Sequence, residues 1–114
     1  MKAAVLRNVR DLSIEEIEAP EPRPGQVLVR VKATAICGTD LGIYTGKSRA
    51  NLPLVPGHES SGTVVALGPG ARGLSVGDRV VLNPLLFCLR CAYCLAGKPN
   101  LCVNGGLMGR EAPG

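Results

Sequence analysis

The sequence predicts one mostly β domain, and three observations carry that prediction. Val27, Val29, Val31 and Ala33 alternate with Leu28, Arg30, Lys32 and Thr34, the period-two pattern of a strand with one buried face. Four more short β-rich segments, 2–6, 12–18, 62–67 and 78–82, are separated by turn-forming residues and not by ten-residue helical patterns. The 114 residues are 46% apolar with only three aromatics, Tyr44, Phe87 and Tyr93, so they fit one core of Val, Leu, Ile and Ala but not two domains.

Taken in order, the strands at 2–6 and 12–18 lead into Ala19-Pro20-Glu21-Pro22-Arg23-Pro24-Gly25. Three prolines there remove ladder donors, so the segment is an extended connection that ends in a glycine turn before the strand from Val27. Short helical turns are expected at 39–45, with Thr39 or Asp40 near its start, and at 91–96. Gly68-Pro69-Gly70-Ala71-Arg72-Gly73 satisfies G-x-G-x-x-G after a strand. Residues 74–80 read as a turn into the next strand, however, and Asp78 comes too soon for a ribose-binding acid about 20 residues on. The motif is therefore read as a hairpin connection. From Val103 the chain is glycine-rich and without periodicity, which predicts an irregular end with no final strand, as if the fold were interrupted there.

Thirteen Lys and Arg against nine Asp and Glu leave a net charge of +4. The basic residues are spread singly, with no cluster to track a phosphate backbone and few aromatics to stack bases, which argues against nucleic acid as a partner. No apolar run approaches the roughly 20 residues of a bilayer-spanning helix, and the apolar run before Arg7 is too short for a secretory signal. The expected compartment is the cytoplasm, with no membrane partner.

Five cysteines in such a chain point to metal chemistry before disulfides. Cys88, Cys91, Cys94 and Cys102 form C-x2-C-x2-C-x7-C, and four thiolates delivered from one excursion close a tetrahedron around Zn2+, the arrangement of a structural site. Alternatives are an iron-sulfur cluster, from whose bacterial run this chain differs in the spacing to the fourth cysteine and in having Val103 where that run has proline, or four buried free thiols or an adventitious disulfide pair. Cys37 and the only histidine, His58, sit at strand-loop junctions. They could share a second Zn2+ with an open vertex, Asp40 orienting the imidazole, or each could be an ordinary buried residue.

Together the motifs Cys37-Gly38-Thr39-Asp40, Pro56-Gly57-His58-Glu59 with Gly62, Val76-Gly77-Asp78-Arg79-Val80, and Asn83-Pro84 leading to the four cysteines and Asn100-Leu101-Cys102 resemble the N-terminal catalytic domain of the zinc-dependent medium-chain alcohol dehydrogenases. The resemblance spans nearly the whole chain. It implies a GroES-like β-barrel with a small zinc-stapled lobe at about 84–103 and one or two short helices, with 1–114 a partial catalytic domain and the nucleotide-binding Rossmann domain absent. It implies a catalytic Zn2+ on Cys37 and His58 with Glu59 close enough to join, a structural Zn2+ on Cys88, Cys91, Cys94 and Cys102, Thr39 as acceptor of the alcohol proton and Asp40 as partner of His58. The implied reaction is Lewis-acid-assisted oxidation of an alcohol or polyol to an aldehyde or ketone, with hydride passed to NAD or NADP, in a complete enzyme that is a dimer or tetramer. Gly42 departs from the family, many of whose members carry a proton-relay histidine there. The resemblance also implies that the chain lacks the third protein ligand of the catalytic zinc and the last barrel strands, so that alone it is inactive. The competing reading is a stand-alone, non-catalytic zinc-binding or assembly module on the same fold.

Overall fold

Strand pairing in the computed structural model, which describes all 114 residues, is antiparallel throughout and falls into three ladders. β1 (Lys2–Asn8) pairs with β2 (Asp11–Glu16), Leu6 opposite Leu12. Arg10 takes the left-handed turn between them, φ 63°, and its N–H donates to the Tyr44 carbonyl at 2.8 Å, which fastens this hairpin to the next element, α1 (Gly38–Tyr44). On its other side Leu6 exchanges backbone hydrogen bonds with Leu54, at 2.8 and 3.1 Å. The core follows from these attachments: Leu6, Ile43 on α1, and Leu54 are buried, with Val5 beside Leu6.

The second ladder is β3 (Val27–Ala35), β4 (Glu59–Leu67) and β5 (Arg79–Val81), in that order. β4 alternates cleanly, with Ser60, Gly62 and Val64 buried. A Cβ on Gly62 would lie 2.3 Å from the Arg30 carbonyl oxygen, so only glycine lets β3 approach this closely. β3 itself corrects the sequence expectation. The strand forms, but its alternating residues do not share a buried face: Val31 is 50% exposed and Ala33 and Ala35 are open as well. Register shifts after Leu28 and after Val31 break the period of two, and every β3 residue from Arg30 to Ala35 is exposed.

The G-x-G-x-x-G segment is the β4–β5 connection, as read from the sequence. Asp78 accepts the Ser75 N–H at 2.8 Å and its carbonyl takes the Val64 N–H at 2.9 Å, so the turn closes on β4 with no helix following. The expected helical turns appear as α1 and α2 (Ala92–Leu95), and a single 3-10 turn follows at Pro99–Leu101.

The glycine-rich end is a second correction. β6 (Leu85–Leu86) pairs with β7 (Gly106–Leu107), a final strand the sequence did not predict. Beyond it the Arg110 carbonyl takes the Asn51 N–H at 2.9 Å, and the Gly114 N–H reaches Val55 at 2.8 Å. Gly109 packs so tightly on Gly57 that a Cβ there would lie 2.5 Å from its carbonyl oxygen. Two-residue strands carry no periodicity, and this segment is fixed by backbone bonds to Asn51 and Val55. No helix is long and apolar enough to cross a membrane.

Candidate metal centres

The β3–β4 register builds the first centre. Ala35 lies opposite Glu59, so the end of one strand meets the start of the other. Cys37, two residues past Ala35, and His58, one before Glu59, therefore converge, and donor atoms of Cys37, His58 and Glu59 lie within 4.8 Å of one another. Gly57, at φ 109°, supplies the left-handed residue that turns the chain into His58.

Asp40 ties the cluster together from the first turn of α1. Its Oδ2 accepts the Cys37 N–H at 2.8 Å, starting the helix at the ligand-bearing residue. Its Oδ1 stands 3.4 Å from His58 Nδ1, and both atoms are buried with no other partner. With Nδ1 facing a carboxylate, Nε2 is the imidazole nitrogen left for a metal. Thr39 Oγ1 is 3.7 Å from Cys37 Sγ, so all five residues singled out by sequence meet at one end of the sheet. Sequence reasoning missed the support beneath: Ser60, two residues along β4 on its buried side, donates to Thr34 Oγ1 at 3.0 Å. The period of two after His58 was the available signal.

Gly42 is explained by its neighbour. A Cβ there would lie 2.7 Å from Ser48 Oγ, and the Ser48 N–H bonds the Gly42 carbonyl at 3.0 Å, so the loop after α1 folds over this position.

The second centre is local. Cys88, Cys91, Cys94 and Cys102 place their sulfurs within 4.8 Å of one another, and none is in a disulfide. The Cys88 N–H points at Cys102 Sγ, 3.3 Å away. Around these sulfurs, N–H donors of Arg90 and then Cys91 bring the Cys88 thiol down to about 6, and those of Cys94 and Val103 lower Cys91. Burial pushes Cys94 up to about 11. The lobe has almost no apolar core: Leu89, Leu95, Leu101 and Val103 are exposed, and α2 buries nothing.

Both donor sets fit Zn2+. Four sulfurs complete a tetrahedron, whereas a thiol, an imidazole and a carboxylate leave a vertex open.

The chain is similar to known proteins along nearly all of its length. It is 42% identical over 103 residues to the L-threonine 3-dehydrogenase of Pyrococcus horikoshii, covering 87% of this chain and 30% of that one. It is 44% identical over 106 residues to the sorbitol dehydrogenase of Bombyx mori, covering 90% and 30%. The cobalt- and zinc-bound thermostable alcohol dehydrogenase of Pyrobaculum aerophilum superposes with a TM-score of 0.91 at 36% identity, over 100% of this chain and 36% of that one. The chain thus spans about a third of the length of these relatives. The family model of the alcohol dehydrogenase GroES-like domain matches residues 23–114, which takes in both donor sets and the sheet that carries the first; the chain belongs to that family.

Proposed function

We propose that this chain is the N-terminal catalytic-domain portion of a zinc-dependent alcohol or polyol dehydrogenase, with residues 84–103 as its structural-zinc lobe. The observation that carries the reading is the convergence of Cys37, His58 and Glu59 with Asp40 buried behind the histidine. Four cysteines alone would suit a module without chemistry. A second, open donor set with its own orienting carboxylate is what a reaction needs.

Cys37, His58 and Glu59 would hold the zinc, which would supply Lewis-acid polarisation of an alcohol oxygen. Asp40 holds the His58 ring in one orientation and, through the Cys37 N–H, fixes the cysteine as well. Thr39, beside Cys37, receives the alcohol proton on Oγ1. Onward transfer differs from the family's histidine relay, because Gly42 offers no side chain and the Ser48 hydroxyl fills the adjoining space. NAD or NADP would be the hydride acceptor, and residues 1–114 hold no dinucleotide fingerprint in a strand-loop-helix setting to bind one. The chain as it stands is therefore expected to give no turnover.

The test is metal content per chain, measured by elemental analysis on wild type, Cys88→Ser and Cys37→Ser, alongside turnover assays with alcohols and NAD(P)+. Two zincs, one lost in each variant, and no turnover is the expected result. One zinc, lost only in Cys88→Ser, would favour the non-catalytic module; bound iron would overturn the assignment of the four-cysteine site.

A further inference from the structure

β4 buries Ser60, Gly62 and Val64 on one side and turns Ser61 and Thr63 to the other. There they line a groove of about 290 Å³ that also takes in Lys32 from β3 and Arg79 and Val81 from β5. Lys32 is the extra residue where the β3–β4 register shifts between Val31 and Ala33, a bulge that re-aims its side chain. Arg79 lies directly opposite Thr63.

The groove is cationic without compensation. No Asp or Glu lines it, and Lys32 and Arg79, like every Lys and Arg other than Arg7 and Arg110, form no ion pair. Asp78, the acid next to Arg79 in sequence, is engaged with the Ser75 N–H. The hydroxyls of Ser61 and Thr63 have no partner within the protein, although the hydroxyl of Ser60, the residue before Ser61, does. Here a point charge, a guanidinium fork and two free hydroxyls border one concavity, a donor set suited to a tetrahedral oxyanion.

A larger groove of about 670 Å³ contains His58, Glu59 and Pro84 and shares Ser61 and Val81 with the first. Thr63 is four residues along β4 from Glu59, about 13 Å at strand rise. We propose that the Lys32–Arg79 groove is a binding site for a phosphate monoester or inorganic phosphate dianion. The shared chemistry has two sources: free phosphate, or the phosphate of a polyol whose hydroxyl lies at the Cys37–His58–Glu59 centre. The second rests on the function proposed above.

The experiment is an amide chemical-shift titration of the zinc-loaded chain with inorganic phosphate and, separately, with sorbitol 6-phosphate. Saturable shifts confined to residues 31–33, 61–63 and 79–81 are expected. They should weaken at least tenfold in the Lys32→Gln/Arg79→Gln double variant and remain in Arg23→Gln/Arg72→Gln, which loses the same charge elsewhere. Ser61→Ala/Thr63→Ala, which keeps both cations, should weaken binding severalfold and guards against misfolding of the charge variant. Shifts scattered over other basic residues, or equal in both charge variants, would overturn the site. Tighter binding of sorbitol 6-phosphate that is lost in Cys37→Ser identifies the polyol phosphate as the ligand. Equal affinity for both probes assigns the site to free phosphate and leaves the dehydrogenase reading to its own test.

Discussion

The two donor clusters are built by opposite means. The four cysteines span fifteen consecutive residues, closed by tight turns at Leu89 and Gly97, with exposed leucines around them. Cys37, His58 and Glu59 come from separate segments, brought together because β3 and β4 pair in one register, and their surroundings include the buried Ser60, Gly62 and Val64. On the proposed reading the first cluster would depend on its metal for structure, since little else in the lobe is buried. The second derives its geometry from the pairing of β3 with β4, so its donors are expected to stay in place without a metal. A structural metal replaces a core, whereas a reactive metal has to be positioned by one.

The largest expected effect separates the two directly. Structural zinc contributes apparent binding energies on the order of 10–16 kcal/mol in small zinc domains. Chelation, or Cys91→Ser, should therefore abolish amide-exchange protection across β6, α2 and β7 and leave β3–β4 protected. Simultaneous loss in both regions would mean that the lobe supports the sheet, and the contrast would fail.

Next is Leu6→Ala. Leu6 is 1% exposed where β1 meets Leu54, and its truncation should cost about 2–5 kcal/mol in urea unfolding. The four-cysteine site should keep its zinc in the folded variant.

Asp40→Asn tests the register-built centre more finely. Asparagine keeps an acceptor for the Cys37 N–H but removes the negative charge facing His58 Nδ1. Loss of such a partner typically weakens metal affinity 10- to 100-fold. Chelator competition should show that drop for one zinc only, the other keeping its wild-type affinity.

The same contrast decides what could be read from sequence. The C-x2-C-x2-C-x7-C spacing announces its cluster because the cluster is made of neighbours. Alternation located the long strands, yet the buried face expected on β3 was absent, because register shifts at Leu28 and Val31 leave no mark in composition. Spacing alone left Cys37 and His58 ambiguous, since their meeting depends on Ala35 pairing with Glu59. Only the family resemblance singled them out. In the sequence Lys32 reads as one more alternating strand residue, and its place in a cationic groove depends on the same bulge. β6 and β7 lie some twenty residues apart and are two residues long, too short for any period to show.

The smallest effect belongs to a contact that uses neither metal nor core. Arg7 Nε donates to Glu15 at 2.8 Å across the β1–β2 ladder, and this hydrogen bond, with a second from Ser13, holds the Glu15 carboxyl below its usual 4.5. A lowered carboxylate pKa contributes stability that is full above the unfolded-state value and is lost as pH falls through the folded-state value. Glu15→Gln should therefore lower the melting temperature slightly at neutral pH, and the gap from wild type should close on acidification well below 4.5. Arg7 is exposed and Glu15 only half-buried, so water and salt screen the pair and added salt should narrow the gap as well. A gap that persists in acid would mean that Glu15 acts by packing β2 and not by its charge. In that case the hairpin, like the β3–β4 sheet, would be set by register and burial alone.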